Sequence, residues 1–167
     1  MDNSLASAMM LIDCLIDNED YQNGLPRVQI ANVIKGWIAC DAIPGSTGHF
    51  GFEPTNPVPV NGTVGELAYR SCLETLNGDR LLFHRIGAIE KVDVFEAVTF
   101  SGDVWYVFFL DMYHPRRSRQ APAGFSIAKE PRPFSGFHTF CKDLPYDLLK
   151  AKCETSELHR LAYIPFH

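Results

Sequence analysis

The sequence predicts one α+β domain over residues 1–167: an antiparallel sheet of four to six strands with an amino-terminal helical pair packed against it. Three features lead there. Apolar residues recur at helical spacing within residues 4–42. An Asn77-Gly78 dipeptide sits between two apolar runs, and Ser101-Gly102-Asp103 separates two runs rich in β-branched and aromatic residues.

Taken in order, Leu5, Ala8, Met9, Ile12, Leu15 and Ile16 fall on one helical face, with Asn3 or Ser4 placed to cap it. Ile30, Val33, Ile34, Trp37 and Ile38 form a second such stripe after Pro26. With NEDYQNGLP as connector, residues 4–42 read as a helical pair. Residues 44–62, PGSTGHFGFEPTNPVPVNG, are too rich in proline and glycine for regular structure. Phe50 and Phe52 within them argue for a segment lying against the body of the domain.

Residues 66–112 read as two hairpins. Asn77-Gly78 tolerates the positive φ that a two-residue turn demands, and pairing about it sets Leu73 opposite Leu82, Ser71 opposite His84 and Arg70 opposite Arg85. One face then carries Leu67, Tyr69, Leu73, Leu82, His84 and Ile86 as core. The glycines of NGTVGE shape the approach to that first strand. The second hairpin joins strands over 92–100 and 104–112, apolar on both faces as central strands are. Residues 113–167 follow as a basic turn, a short helix opened by Asp143, Leu144 and Pro145, and a last strand in RLAYIPF.

Composition narrows the function classes. At 167 residues, 46% hydrophobic and 21% charged, the chain is an ordinary globular domain and not a disordered one. Its longest apolar run, Val104 to Leu110, is far too short to span a membrane, so no membrane partner is expected. The amino terminus lacks a basic segment and Asp13 interrupts its apolar run, so no secretory signal is predicted. Five cysteines, an odd number with no CxxC, point to reduced thiols and a cytoplasmic location. The net charge of −5 falls entirely within residues 1–60, where seven acids face Arg27 and Lys35. The remainder is balanced, which argues against a broad nucleic-acid footprint and marks the acidic amino-terminal half as a surface for a protein partner.

The candidate site residues cluster around YHPRRSR. His114, Arg116, Arg117 and Arg119 follow a buried strand, and their planar guanidinium groups suit an anionic small molecule. His114 and Asp111 are candidate proton-transfer groups, and Asp111 is equally suited to orienting Arg116. His84 beside Ser71 makes two members of a nucleophilic triad, although no GxSxG elbow surrounds Ser71 and a core histidine is the plainer account. Arg70 and Arg85 are like charges on one face and require an anion; a structural Arg85–Glu96 pair answers this better than a catalytic Glu96. His138, Cys141 and Cys153 lack zinc-site spacing, and NGTVGE is neither a Walker loop nor a dinucleotide fingerprint. No metal and no cofactor are therefore expected.

The run NPVPVNGTVGELAYRSCLETLNGDRLLFHR, followed by DVFEAV and FLDMYHPRRSR, resembles a family of small hypothetical bacterial proteins with no assigned activity. The likeness spans residues 50–120 best. It implies a bacterial cytosolic protein and carries over no site residues. The expected function is a binding or interaction module, of adaptor or toxin-neutralising type. The alternatives are an enzyme acting on a phosphorylated or carboxylated small molecule through residues 111–119, and an RNA-binding protein using the same turn.

Overall fold

The computed structural model describes residues 38–129. The helical stripes before residue 38, the helix after Asp143 and the strand in RLAYIPF lie outside the described residues. Residues 38–42, the end of the second stripe, are irregular. The described part is α+β: one helix, a four-stranded mixed sheet and a two-stranded sheet.

A looped segment rich in proline and glycine leads into a two-residue strand, β1 (Val58–Pro59). It pairs in parallel with β5 (Trp105–Asp111), setting Val58 against Leu110 and Pro59 against Asp111. The sheet is thus mixed and not wholly antiparallel. Pro59 is tolerated because β1 lies at a sheet edge, where its missing N–H interrupts no inner ladder. The preceding loop is held by aromatic packing: Phe52 stacks on Phe108 with centroids 5.4 Å apart.

Residues 62–72 form a helix, α1 (Gly62–Cys72), where a strand is expected from alternation of Leu67, Tyr69 and Leu73. Gly65, Ala68, Tyr69, Cys72 and the following Leu73 recur at helical spacing too, and all are buried. The helix reading wins because it delivers Tyr69 and Leu73 together to the core, while Leu67 is only partly buried. Gly62, at φ +61, opens the helix, and Gly65 N donates to Asn61 O at 2.9 Å.

β2 (Leu73–Thr75) follows at once and pairs antiparallel with β6 (Phe125–Ile127). Asn77-Gly78 does belong to a tight turn: Gly78 N donates to Thr75 O at 2.8 Å, with Gly78 at φ +81. That turn does not close a hairpin. The chain leaves it for β3 (Leu81–Ile89), which pairs with β4 (Val92–Thr99) and not with residues 67–73. The expected facing pairs Leu73–Leu82, Ser71–His84 and Arg70–Arg85 therefore do not exist.

A two-residue turn, Glu90-Lys91, joins β3 to β4, and Glu90 takes φ +54 there. The β4–β5 hairpin turns at Ser101-Gly102 with Val98 opposite Trp105. The order β1-β5-β4-β3 makes β4 and β5 central. Leu81, Phe83, Phe95, Ala97, Phe108 and Leu110 line the inner face, where Tyr69, Leu73, Val58 and Phe125 meet them. Burying each large side chain of this kind stabilises the fold by about 2–3 kcal/mol. The core face of β3 therefore carries Leu81 and Phe83, one residue out of step with the expected set. A bulge between Arg85 and Gly87 shifts the strand's register beyond that point.

Candidate functional site

The end of β5 and the turn after it gather a cluster of buried and half-buried polar side chains. Asp111 is fully buried, and its Oδ2 lies 2.9 Å from Lys91 Nζ and 3.3 Å from His114 Nε2. Neither contact is aligned as a good hydrogen bond, so both act chiefly as charge contacts. Asp111 Oδ1 accepts from Tyr113 N at 3.1 Å. Burial opposes ionisation of Asp111, but His114 and Lys91 outweigh it and hold the carboxyl below its usual range. Asp111 thus serves Lys91 and His114, not Arg116.

His114 is buried and fixed from both sides. Its backbone N donates to Val60 O at 3.1 Å, and Asn61 Nδ2 donates to Pro115 O at 2.8 Å. On the far side of the ring, Nδ1 lies 4.0 Å from the Sγ of Cys40, a half-buried free thiol from the loop before β1. Burial pushes the Cys40 thiol up, Arg116 draws it down, and Asp41 and Asp111 push it up again.

The arginines of the turn hold it to its surroundings. Arg116 Nη1 donates to Asp41 Oδ1 at 2.6 Å, and Arg119 N donates to the same oxygen at 2.8 Å. The Arg116 hydrogen bond holds the Asp41 carboxyl below its usual range against a modest burial effect. Arg117 Nη1 reaches Ala68 O on α1 at 3.4 Å and Cys72 Sγ at 3.3 Å. Ser118 Oγ donates to Asp41 O at 2.6 Å. One acid, Asp41, thereby pins the turn to the loop 75 residues before Arg116.

The other sequence candidates lie elsewhere. Ser71, on α1, donates Oγ–H back to Ala68 O at 2.8 Å. His84 is opposite Glu96, and Nδ1 meets Oε1 at 2.9 Å on the outer sheet face. Glu96 therefore pairs with His84, not Arg85. Arg85 Nη2 donates instead to Asp93 Oδ1 at 2.6 Å, because the inner-face parity of β3 and β4 aligns those two.

A second polar cluster lies under the sheet. Glu66 on α1, Asp93 on β4 and Arg70 on α1 are all buried. Burial first, then a hydrogen bond and charge contact with Asp93, push the Glu66 carboxyl up to about 8. At neutral pH it is a neutral acid donating to Asp93, while Arg85 satisfies Asp93 from the other side. Arg70 lies over the Phe95 ring, 4.3 Å from its centroid, and its Nε donates to Glu66 O at 3.2 Å. The anion that Arg70 and Arg85 require is internal.

Sequence reasoning missed Cys40, Asp41, Lys91, Glu66 and Asp93. No spacing links Cys40 to His114 along the chain, and a strand reading of residues 67–73 hid the helix that carries Glu66. The Lys91 contact depends on an unpredicted turn. Among the described residues, no helix is long and apolar enough to cross a membrane, and no three His, Cys, Asp or Glu side chains are placed to hold a metal ion. No protein-family model, curated protein or solved structure matches the chain.

Proposed function

We propose that this chain is a cytosolic protein-binding module, of adaptor or toxin-neutralising type, that docks its partner on the outer face of the four-stranded sheet. The observation that carries this reading is the apolar character of that face. Trp105 and Val107 on β5 are each 43% exposed, and Ile89 on β3 is 49% exposed. On the same face by strand parity, Leu82, Val92, Val94 and Val98 are buried and Phe109 is partly buried, so the exposed apolar area lies along β5 at Trp105 and Val107 and at Ile89. Large apolar side chains left exposed beside the His84–Glu96 pair suit a protein contact better than a solvated surface.

The central pair is His84–Glu96, which supplies orientation to an otherwise non-directional contact. The free thiols Cys40 and Cys72 fit a reducing compartment such as the bacterial cytosol. The arginines of the turn favour this reading over an enzyme for phosphorylated compounds, since Arg116 and Arg117 make intramolecular contacts.

The test is replacement of Trp105 and Val107 together by threonine, which keeps strand propensity but removes apolar area. Partner capture by the full chain from its host should fall at least tenfold, with unchanged circular dichroism. Equal recovery by the double variant and the parent would overturn the assignment of this face. Sedimentation of the parent alone distinguishes a second copy of the chain from a different partner.

A further inference from the structure

We propose that Cys40, His114 and Asp111 form a thiol nucleophile site for acyl transfer, acting on the carbonyl carbon of an ester or thioester. This goes beyond the binding reading and rests on a different part of the molecule.

The three groups stand in the order that nucleophilic catalysis by a thiol requires. Cys40 Sγ lies 4.0 Å from His114 Nδ1, and His114 Nε2 lies 3.3 Å from Asp111 Oδ2. An ionised Asp111 favours the tautomer with its proton on Nε2, which leaves the Nδ1 lone pair directed at the thiol. Such contacts are commonly loose before substrate arrives and tighten in the complex. The base is held rigidly: Val60 O accepts from His114 N, Pro115 follows it, and Asn61 fastens Pro115. Cys40 is only half-buried, whereas Cys72 is buried and touches Arg117.

The charged groups facing these atoms fit the role. Asp41, Asp111 and Arg116 act on the Cys40 thiol, and Lys91 and His114 act on Asp111. Lys91 keeps the buried Asp111 ionised, and Arg116 brings positive charge near the sulfur that must become a thiolate. With burial raising its pKa, the resting Cys40 is a neutral thiol, and His114 takes its proton only as attack begins.

The chemistry balances without any co-reactant except water. The Cys40 S–H bond breaks, its proton passes to His114 Nδ1, and the sulfur electron pair forms an S–C bond to the carbonyl carbon. Collapse of the tetrahedral adduct breaks the bond to the leaving alcohol or thiol, which takes the proton from His114. Water then attacks the acyl-Cys40 thioester and gives a proton to His114. The C–S bond breaks, the carboxylic acid departs, and His114 returns the proton to sulfur.

The test uses p-nitrophenyl acetate and the full chain, with peptide mapping of acetylated cysteines at several times. The five cysteines of the chain serve as internal controls. Cys40 should acetylate at least ~100-fold faster than any other cysteine, as expected when a positioned base assists. His114→Gln should slow Cys40 by ~100-fold while leaving the other cysteines unchanged, and Cys40→Ser should abolish turnover with the fold retained. Acetylation of Cys40 at the rate of the other cysteines in the parent protein would overturn the proposal without reference to any variant. An undiminished Cys40 acetylation rate in His114→Gln would overturn it as well.

Discussion

Lys91 Nζ and Asp111 Oδ2 meet at 2.9 Å across the end of the sheet, joining a half-exposed cation to a carboxylate with no exposed surface. The contact follows from register. Val92 lies opposite Asp111, so the preceding Lys91, at the corner of the β3–β4 turn, is delivered beside the carboxylate. A buried charge is costly without a partner, and Lys91 is one of two that Asp111 has. Lys91→Met should therefore destabilise the fold at pH 7 by about 1 kcal/mol, the scale of one charged contact with an exposed member. Because the folded Asp111 pKa is depressed, its contribution is present above the unfolded value and lost as pH falls through the folded one. The Lys91→Met deficit should thus shrink at pH 3. Denaturant titrations at both pH values check this, and an equal deficit at each would contradict it.

Glu66 has the opposite sign. Its folded pKa, about 8, lies above the ordinary glutamate value of 4.5, so the folded state holds a proton that the unfolded state releases. Its contribution is complete below the unfolded pKa and is lost progressively as pH rises towards the folded one. Glu66→Gln keeps a neutral donor to Asp93 at every pH and removes this slope. Near pH 8.5 the variant should exceed the parent by about 4–5 kcal/mol, and near pH 4 the two should agree. Parallel stability profiles from pH 4 to 9 would show that Glu66 ionises freely in the fold.

How much of this was legible in the sequence depends on whether the signal is local. The β4–β5 hairpin was readable because its turn and both its strands are contiguous and carry apolar residues on both faces. The Asn77-Gly78 turn was readable as a turn but misleading as a hairpin, since the partner of β2 is β6, some 50 residues on. Residues 67–73 satisfy both a period of two and a period near 3.6, and only tertiary packing of Tyr69 and Leu73 decides between them. His114 and Asp111 were visible as chemistry-bearing residues in one turn. Cys40 was not, because its relation to His114 exists only once Asp41 and Arg116 have tied loop to turn.

Glu90 offers a test of the turn that sequence reasoning overlooked. Its φ of +54 places a β-carbon in the left-handed region, which costs an ordinary residue about 1 kcal/mol and glycine nothing. Glu90 is exposed and makes no contact that the turn needs. Glu90→Gly should therefore raise stability by about 0.5 kcal/mol, the loss of unfolded-chain entropy to glycine offsetting part of the gain. A lower denaturation midpoint in the variant would show that the turn is not strained there.

The arginines of YHPRRSR give the last prediction. Arg116 is only 12% exposed and meets Asp41 at 2.6 Å, while Arg117 spans to Ala68 and Cys72 on α1. Exposed loop charges contribute within about 0.5 kcal/mol, but these two tie three separate segments together. Replacing both by alanine leaves Asp41 without its side-chain cation and frees the turn from α1. The double variant should lose about 2 kcal/mol, or about 4–8 °C in Tm for a chain of this size. Because the contacts are intramolecular, phosphate at matched ionic strength should stabilise parent and variant alike. A clear phosphate-dependent rise in Tm for the parent, absent from the variant, would instead reveal an anion site at the turn. The same variant bears on Cys40, since Asp41 and Arg116 hold its loop against His114. Loss of the turn's anchorage should slow Cys40 acetylation even where the fold survives, and unchanged acetylation would separate the thiol's reactivity from the Arg116–Asp41 tie.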